Sequence, residues 1–221
     1  MIEIDSILCA PSEPAPPAGP GPRVLLSSDP QSISPWSRWS YEPGPPLLLL
    51  TCPSLSSPAV LRDATGVVRA WANPLDALTW MAQAHQELPA GGPPFKGGWV
   101  GYLSYDLGRR FETLPSLAVD DLGLPLFTFT FHDRVRAFDH QAQTATDIRC
   151  SHPFNQKPIT VAPSAQHSDL GLASNFTRRG YESAVARAID YIAAGDIFQV
   201  NLSQRFTVGL REPAQAIWAR L

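Results

Sequence analysis

Lysine is nearly absent: Lys96 and Lys157 are the only two in 221 residues, and arginine supplies the rest of the positive charge. With 17 basic against 20 acidic residues the net charge is -3 and the pI about 5.9. That balance removes the electrostatic reason to expect a nucleic acid partner. Cysteine is scarce too. Cys9, Cys52 and Cys150 are odd in number and far apart, so no disulfide framework is readable, and a reducing cytoplasmic setting is expected. Long apolar runs are missing; residues 47–50 are four leucines, against the ~20 residues a membrane span needs. No basic residue precedes Glu3 and Asp5, which argues against a secretory leader.

Several chemical signatures are missing as well. His85, His132, His140, His152 and His167 show no metal-ligand spacing, and no Cys-x-x-Cys occurs, so no metal site is expected within these residues. No Gly-x-Ser-x-Gly elbow offers a nucleophilic serine. Gly97, Gly98 and Gly101 are not followed by Gly-Lys-Ser/Thr, so a strand approached closely by another backbone fits better than a phosphate loop. Asp120 and Asp121 are neighbours; side chains adjacent on a strand diverge, and a solvated turn fits better than an acid–base couple. No catalytic residue set is complete.

What the chain does hold is 44% hydrophobic residues, enough for one substantial core. It also holds 23 prolines, six of them in residues 11–22, where fixed φ and missing amides exclude a ladder strand. Residues 1–22 therefore read as a proline-rich arm, with order beginning at a short strand over 24–26. Further strands fit 47–51 and 66–71, the latter after the turn at 63–66. Asn73-Pro74 opens a helix, Asn as cap and Pro at the first position. Leu75, Leu78, Met81, Ala82, His85 and Leu88 mark its buried face.

Trp99, Gly101, Leu103 and Tyr105 share a face of the next strand. Residues 124–138 alternate as one strand with Phe127, Phe129 and Phe131 on one side, and 144–150 return as its hairpin partner. The polar, aperiodic stretch 151–174 is the expected linker. Thr177 caps a second helix, with Phe176 stapled to Tyr181 and Gly195 at its left-handed end. Tyr181, Ala184, Val185, Ala188, Ile189 and Ile192 form its apolar stripe. Glu212-Pro213 begins another helix that is still amphipathic at Leu221, the mark of the front portion of a longer protein.

Between the last two helices stands "GDIFQVNLSQRF", residues 195–206. Phe198, Val200, Leu202 and Phe206 alternate with Gln199, Asn201, Ser203 and Arg205, predicting a strand with one core face and one polar face. Pattern alone favours a solvated polar face. Neutral amides that read hydroxyls and carboxylates, and an arginine for a carboxylate, are also what a small-ligand pocket uses.

Three stretches carry a resemblance. The run from Tyr191 to Phe206 resembles the start of the chorismate-utilising domain of anthranilate synthase component I and aminodeoxychorismate synthase component I. "PFKGGWVGYLSYDLGRRFE" (94–112) resembles the glycine-rich strand of the N-terminal domain of the same family, and "VLLSSDPQSISPWSRWS" (24–40) its tryptophan-pocket segment, with one inserted residue. The Gln-Val-Asn-Leu at 199–202 and "YDLGRRFE" resemble the aminodeoxychorismate branch.

The resemblance implies an α+β fold of largely antiparallel sheets packed face to face with outer helices, cut short before the catalytic half is complete. It implies an N-terminal domain over 23–160, a linker over 161–173 and the beginning of the chorismate domain over 174–221. It implies conversion of chorismate and ammonia, delivered by a glutamine amidotransferase subunit, to 4-amino-4-deoxychorismate for folate, with Mg2+ and a nucleophilic lysine whose positions fall beyond residue 221. Gln199 and Asn201 would line the substrate pocket; Ser28, Trp36, Ser37, Arg38 and Trp39 would bind tryptophan. The alternatives are anthranilate synthase component I and a non-catalytic module that holds tryptophan or docks the amidotransferase.

Overall fold

The computed structural model describes residues 3–7, 25–28, 34, 37–83, 91–115, 120, 122–154, 157–160, 171–209 and 216–217. The chain divides into two compact units, Met1–Pro163 and Ser164–Leu221.

The first unit is built on two antiparallel sheets. Strands β1 (Glu3–Ile7), β2 (Trp39–Pro43), β8 (Arg134–Asp139) and β9 (Thr144–Arg149) form one, in the order β1-β9-β8-β2. Strands β3 (Leu48–Cys52), β4 (Ala59–Asp63), β5 (Gly66–Trp71), β6 (Gly98–Leu103) and β7 (Phe127–His132) form the other, in the order β5-β4-β3-β7-β6. All their pairings are antiparallel.

Residues 3–7 correct one expectation, since they pair with β9 rather than belonging to the arm. Residues 11–22 lie outside the described residues. Of the strand expected over 24–26, residue 24 lies outside the described residues, and the rest forms a single bridge in which Leu26 and Tyr41 exchange both backbone hydrogen bonds.

The long alternation at 124–138 is two strands in two sheets, parted at Asp133. Phe127, Phe129, Phe131, Val135 and Ala137 keep one parity throughout, so the pattern runs on while the chain changes sheets. Phe127 enters a core with Leu48, Leu50, Leu61, Trp71 and Ala77. Val135 and Ala137 enter a second core with Tyr41 and Ile148. Each fully buried Val, Leu, Ile or Phe side chain among them is worth roughly 1.5–3 kcal/mol.

Helix α1 (Pro74–Gln83) starts where expected, with Asn73 Oδ1 accepting the Leu75 amide at 3.3 Å. Leu75, Leu78 and Met81 pack on the first core, but Ala77 is its buried helical residue and Ala82 is exposed. His85 and Leu88 lie outside the described residues. Tyr105 leaves the strand face: β6 ends at Leu103, and Tyr105–Arg110 is a 3-10 turn with Tyr105 91% exposed.

The second unit holds α2 (Arg178–Ala194) and a two-strand ladder of β10 (Ala173–Ser174) with β11 (Phe206–Thr207). The ends of α2 match the sequence closely. Thr177 Oγ1 accepts the Gly180 amide at 3.1 Å, Phe176 meets Tyr181 edge-on, and Gly195 caps at φ 82°. The strand expected over 197–206 is confined to Phe206–Thr207, and Phe198 is fully exposed. An alternating pattern prepares a strand, but only a neighbouring strand can fill its backbone hydrogen bonds. Glu212-Pro213 lies outside the described residues.

Candidate functional site

Of the pocket residues read from 24–40, Ser28, Ser37, Arg38 and Trp39 are described; Trp36 lies outside. Strand β2 sets Trp39 beside Tyr41, ring centroids 6.4 Å apart, and Tyr41 meets Phe95 edge-on at 5.6 Å. The Arg38 guanidinium lies 5.0 Å above the Trp39 ring. Its Nε is 3.0 Å from each carboxylate oxygen of Asp139, and its Nη2 is 2.6 Å from Oδ2. This ion pair, with amides 141 and 142 also donating, holds the Asp139 carboxyl below the ordinary range.

Ser28 is held through its backbone: its amide donates to Ser40 Oγ at 3.0 Å, and Ser40 Oγ lies 2.7 Å from His140 Nε2. The Ser37 amide donates to Ser34 O at 2.9 Å. Sequence reading missed Ser40, Asp139 and His140. The turn at 139–143 was visible, but nothing in the chain marks Asp139 as the partner of a residue 101 positions earlier.

The glycine strand gives a second feature. Gly101 faces β7 so closely that a Cβ there would overlap Thr128 O and the Phe129 ring, while Gly97 and Gly98 sit at φ 120° and 123°. The phosphate-loop alternative gains no support, because β6 leads into a 3-10 turn rather than an α-helix. In that turn Arg109 donates to Asp106, Leu114 O and Pro115 O, and Arg110 to Leu55 O. Lys96 is buried with Nζ donating to Gly91 O, which marks it as a structural lysine.

Gln199 and Asn201 belong to the second unit. Both are exposed. The end of their motif is pinned: Gln204 Nε2 donates to Ser174 Oγ and the Arg205 amide to Asn175 Oδ1, each at 2.8 Å. Tyr181 OH donates to Leu202 O at 3.4 Å. Among the described residues no group of three or more His, Cys, Asp or Glu side chains is placed to hold a metal ion. The described residues therefore do not fit a magnesium site. No described helix is long and apolar enough to cross a membrane.

The family model for chorismate binding enzyme matches residues 54–221. The chain is 36% identical over 163 residues to anthranilate synthase component 1 of Thermus thermophilus, covering 67% of this chain and 35% of that one. It is 31% identical over 200 residues to aminodeoxychorismate synthase component 1 of Salmonella typhimurium, covering 84% and 42%. The chain thus spans about a third to two fifths of the length of these relatives. Among solved structures, anthranilate synthase component I from Streptococcus pneumoniae superposes with a TM-score of 0.55 at 22% identity, covering 81% of this chain and 44% of that one. That likeness shows the fold, a mixed α and β architecture of antiparallel sheets. With a family match over residues 54–221, the chain belongs to the chorismate binding enzyme family.

Proposed function

We propose that this chain serves in an aminodeoxychorismate synthase component I. Chorismate and ammonia from a glutamine amidotransferase subunit would become 4-amino-4-deoxychorismate and water, in the cytoplasm, on the route to folate. The observation that carries this reading is the Gln199-Val200-Asn201-Leu202 run within a family member. The amides at 199 and 201 are the chemistry that reads ring hydroxyls and carboxylates, and an apolar residue at 201 would fit the anthranilate branch better. Anthranilate synthase is the second reading, favoured by relatives of that name at similar identity. Magnesium would supply charge stabilisation at the chorismate carboxylate and the departing hydroxyl.

The proposal includes a bound L-tryptophan against Ser28, Ser37, Arg38 and Trp39. An amino acid there needs an aromatic slot and polar groups for its two charged ends, and this short span supplies both kinds.

The test is product identity. The full-length gene product is incubated with chorismate, ammonium and Mg2+, and products are separated by chromatography with mass detection. 4-Amino-4-deoxychorismate supports the proposal. Anthranilate would transfer the chain to the second reading, and no turnover of chorismate would leave the non-catalytic module.

A further inference from the structure

Arg38 is the one arginine in the 24–40 segment, so in a pocket for an amino acid it is the obvious partner for the ligand's carboxylate. Its geometry points elsewhere. The fork of Nε and Nη2 is spent on Asp139 at 2.6–3.0 Å. The Asp139 side chain is only 5% exposed, and its Oδ1 also accepts the Gln141 and Ala142 amides at 3.0 and 3.1 Å. Moving the guanidinium onto a ligand would leave this buried carboxylate without its counter-charge, a costlier state than a new half-exposed contact repays.

The same turn reaches the other end of the segment. The His140 amide donates to Arg38 O at 2.8 Å, and its ring Nε2 is hydrogen-bonded to Ser40 Oγ, which accepts the Ser28 amide. One connected set of hydrogen bonds therefore runs from the 139–142 turn to Ser28. The Ser28 hydroxyl itself makes no hydrogen bond to another described residue.

We propose that Asp139 and His140 are positioning residues for the amino-acid pocket. Asp139 fixes Arg38 as a strut over Trp39, and His140 acts through Ser40 to fix the Ser28 backbone. The Ser28 hydroxyl is left to meet the ligand. This rests on the tryptophan reading given under the proposed function.

The experiment uses the full-length protein, with L-tryptophan binding measured by titration after removal of any co-purified amino acid. Hydrogen exchange at amides 26–28 and 38–41 is followed in parallel. Arg38→Ala and Asp139→Asn should each weaken tryptophan binding about tenfold, and the double variant no further than the weaker single, because one contact is removed twice. Both should speed exchange across the segment. His140→Ala should speed exchange at the Ser28 amide and His140→Gln restore it, while Ser28→Ala should weaken binding with exchange unchanged.

If Asp139→Asn keeps or tightens tryptophan binding while Arg38→Ala abolishes it, Arg38 is a direct ligand and the proposal is overturned. Unchanged exchange in the Asp139 and His140 variants would also overturn it. Wild-type protein that binds no tryptophan at any concentration retires the pocket and the ligand role of Ser28. The exchange data would then still decide whether Asp139 and His140 hold the segment.

Discussion

Strand β7 and helix α2 are equally well patterned, one at period 2 and the other at period 3.6, and they fare differently. β7 lies between β3 and β6 and seats Phe127 at 0% exposure, against side chains from β3, β4 and α1. α2 has an apolar stripe, a side-chain cap and a glycine stop, yet buries none of its residues. Among the described residues its own unit supplies, beside it, a pair of two-residue strands. Pattern tells which face of an element is meant for a core; burial requires a second face opposite it. Local caps and turns form without that second face, because their partners lie within a few residues.

The largest test of this contrast is Phe127→Ala, which should cost about 3–5 kcal/mol because its strand is hemmed in on both sides and the cavity closes poorly. Urea unfolding followed by tryptophan fluorescence reads it, since Trp71, Trp80 and Trp99 pack on the same core. A loss below ~1 kcal/mol would mean that this core is not tightly packed.

Gly101→Ala should come next, at about 1–3 kcal/mol, since the new Cβ meets the Thr128 carbonyl and the Phe129 backbone and ring, which can yield only by shifting the strand. Gly98→Ala is the control for conformation without crowding, because nothing lies within reach of its Cβ but its φ is 123°. Equal effects in the two would show that backbone conformation, not the approach of β7, dominates at this strand.

Acid should act on the first unit without any substitution. Burial lowers the His132 pKa from its ordinary 6.5, and the Arg38 hydrogen bond lowers that of Asp139 from 3.8. Each group binds fewer protons folded than unfolded. The stability tied to each is therefore full above its ordinary value and is lost as pH falls from there through the folded pKa. Unfolding free energy measured against pH should decline first below about 6.5 and again below about 3.8. His132→Gln should remove the first decline; its persistence would assign it to another group.

Thr177→Ala should cost the second unit about 1 kcal/mol of helix stability, because the Gly180 amide loses its acceptor. Circular dichroism at 222 nm against temperature detects it, and Thr177→Ser should restore most of the loss. The smallest effect is expected for Phe198→Ala. Its ring is fully exposed, so stability of this chain should change by less than about 0.5 kcal/mol. A larger loss would show that Phe198 is buried in solution.

Local features were legible because they are local. Strands 48–52 and 66–71, the start of α1, and the Thr177 and Gly195 caps of α2 each follow from residues within one or two turns. The site was half legible. Its segment, 24–40, was marked by aromatic and polar residues close in sequence, whereas Asp139, His140 and Ser40 carried no signal of their own. Asp139 reads as an ordinary turn residue until Arg38 is set against it.

The sequence by itself determined where hydrophobic faces lie, where helices begin and stop, and which family the chain resembles, since these depend on spacing and on residue types a few positions apart. Only the tertiary structure decided that the alternation at 127–137 serves two sheets and that residues 3–7 close one of them. It also decided that residues 197–205 remain outside any ladder and that Arg38 is bound to Asp139. In each case a backbone group or charge needs a partner from a distant part of the chain. Parity and propensity repeat identically whichever partner arrives, so they carry no record of the choice.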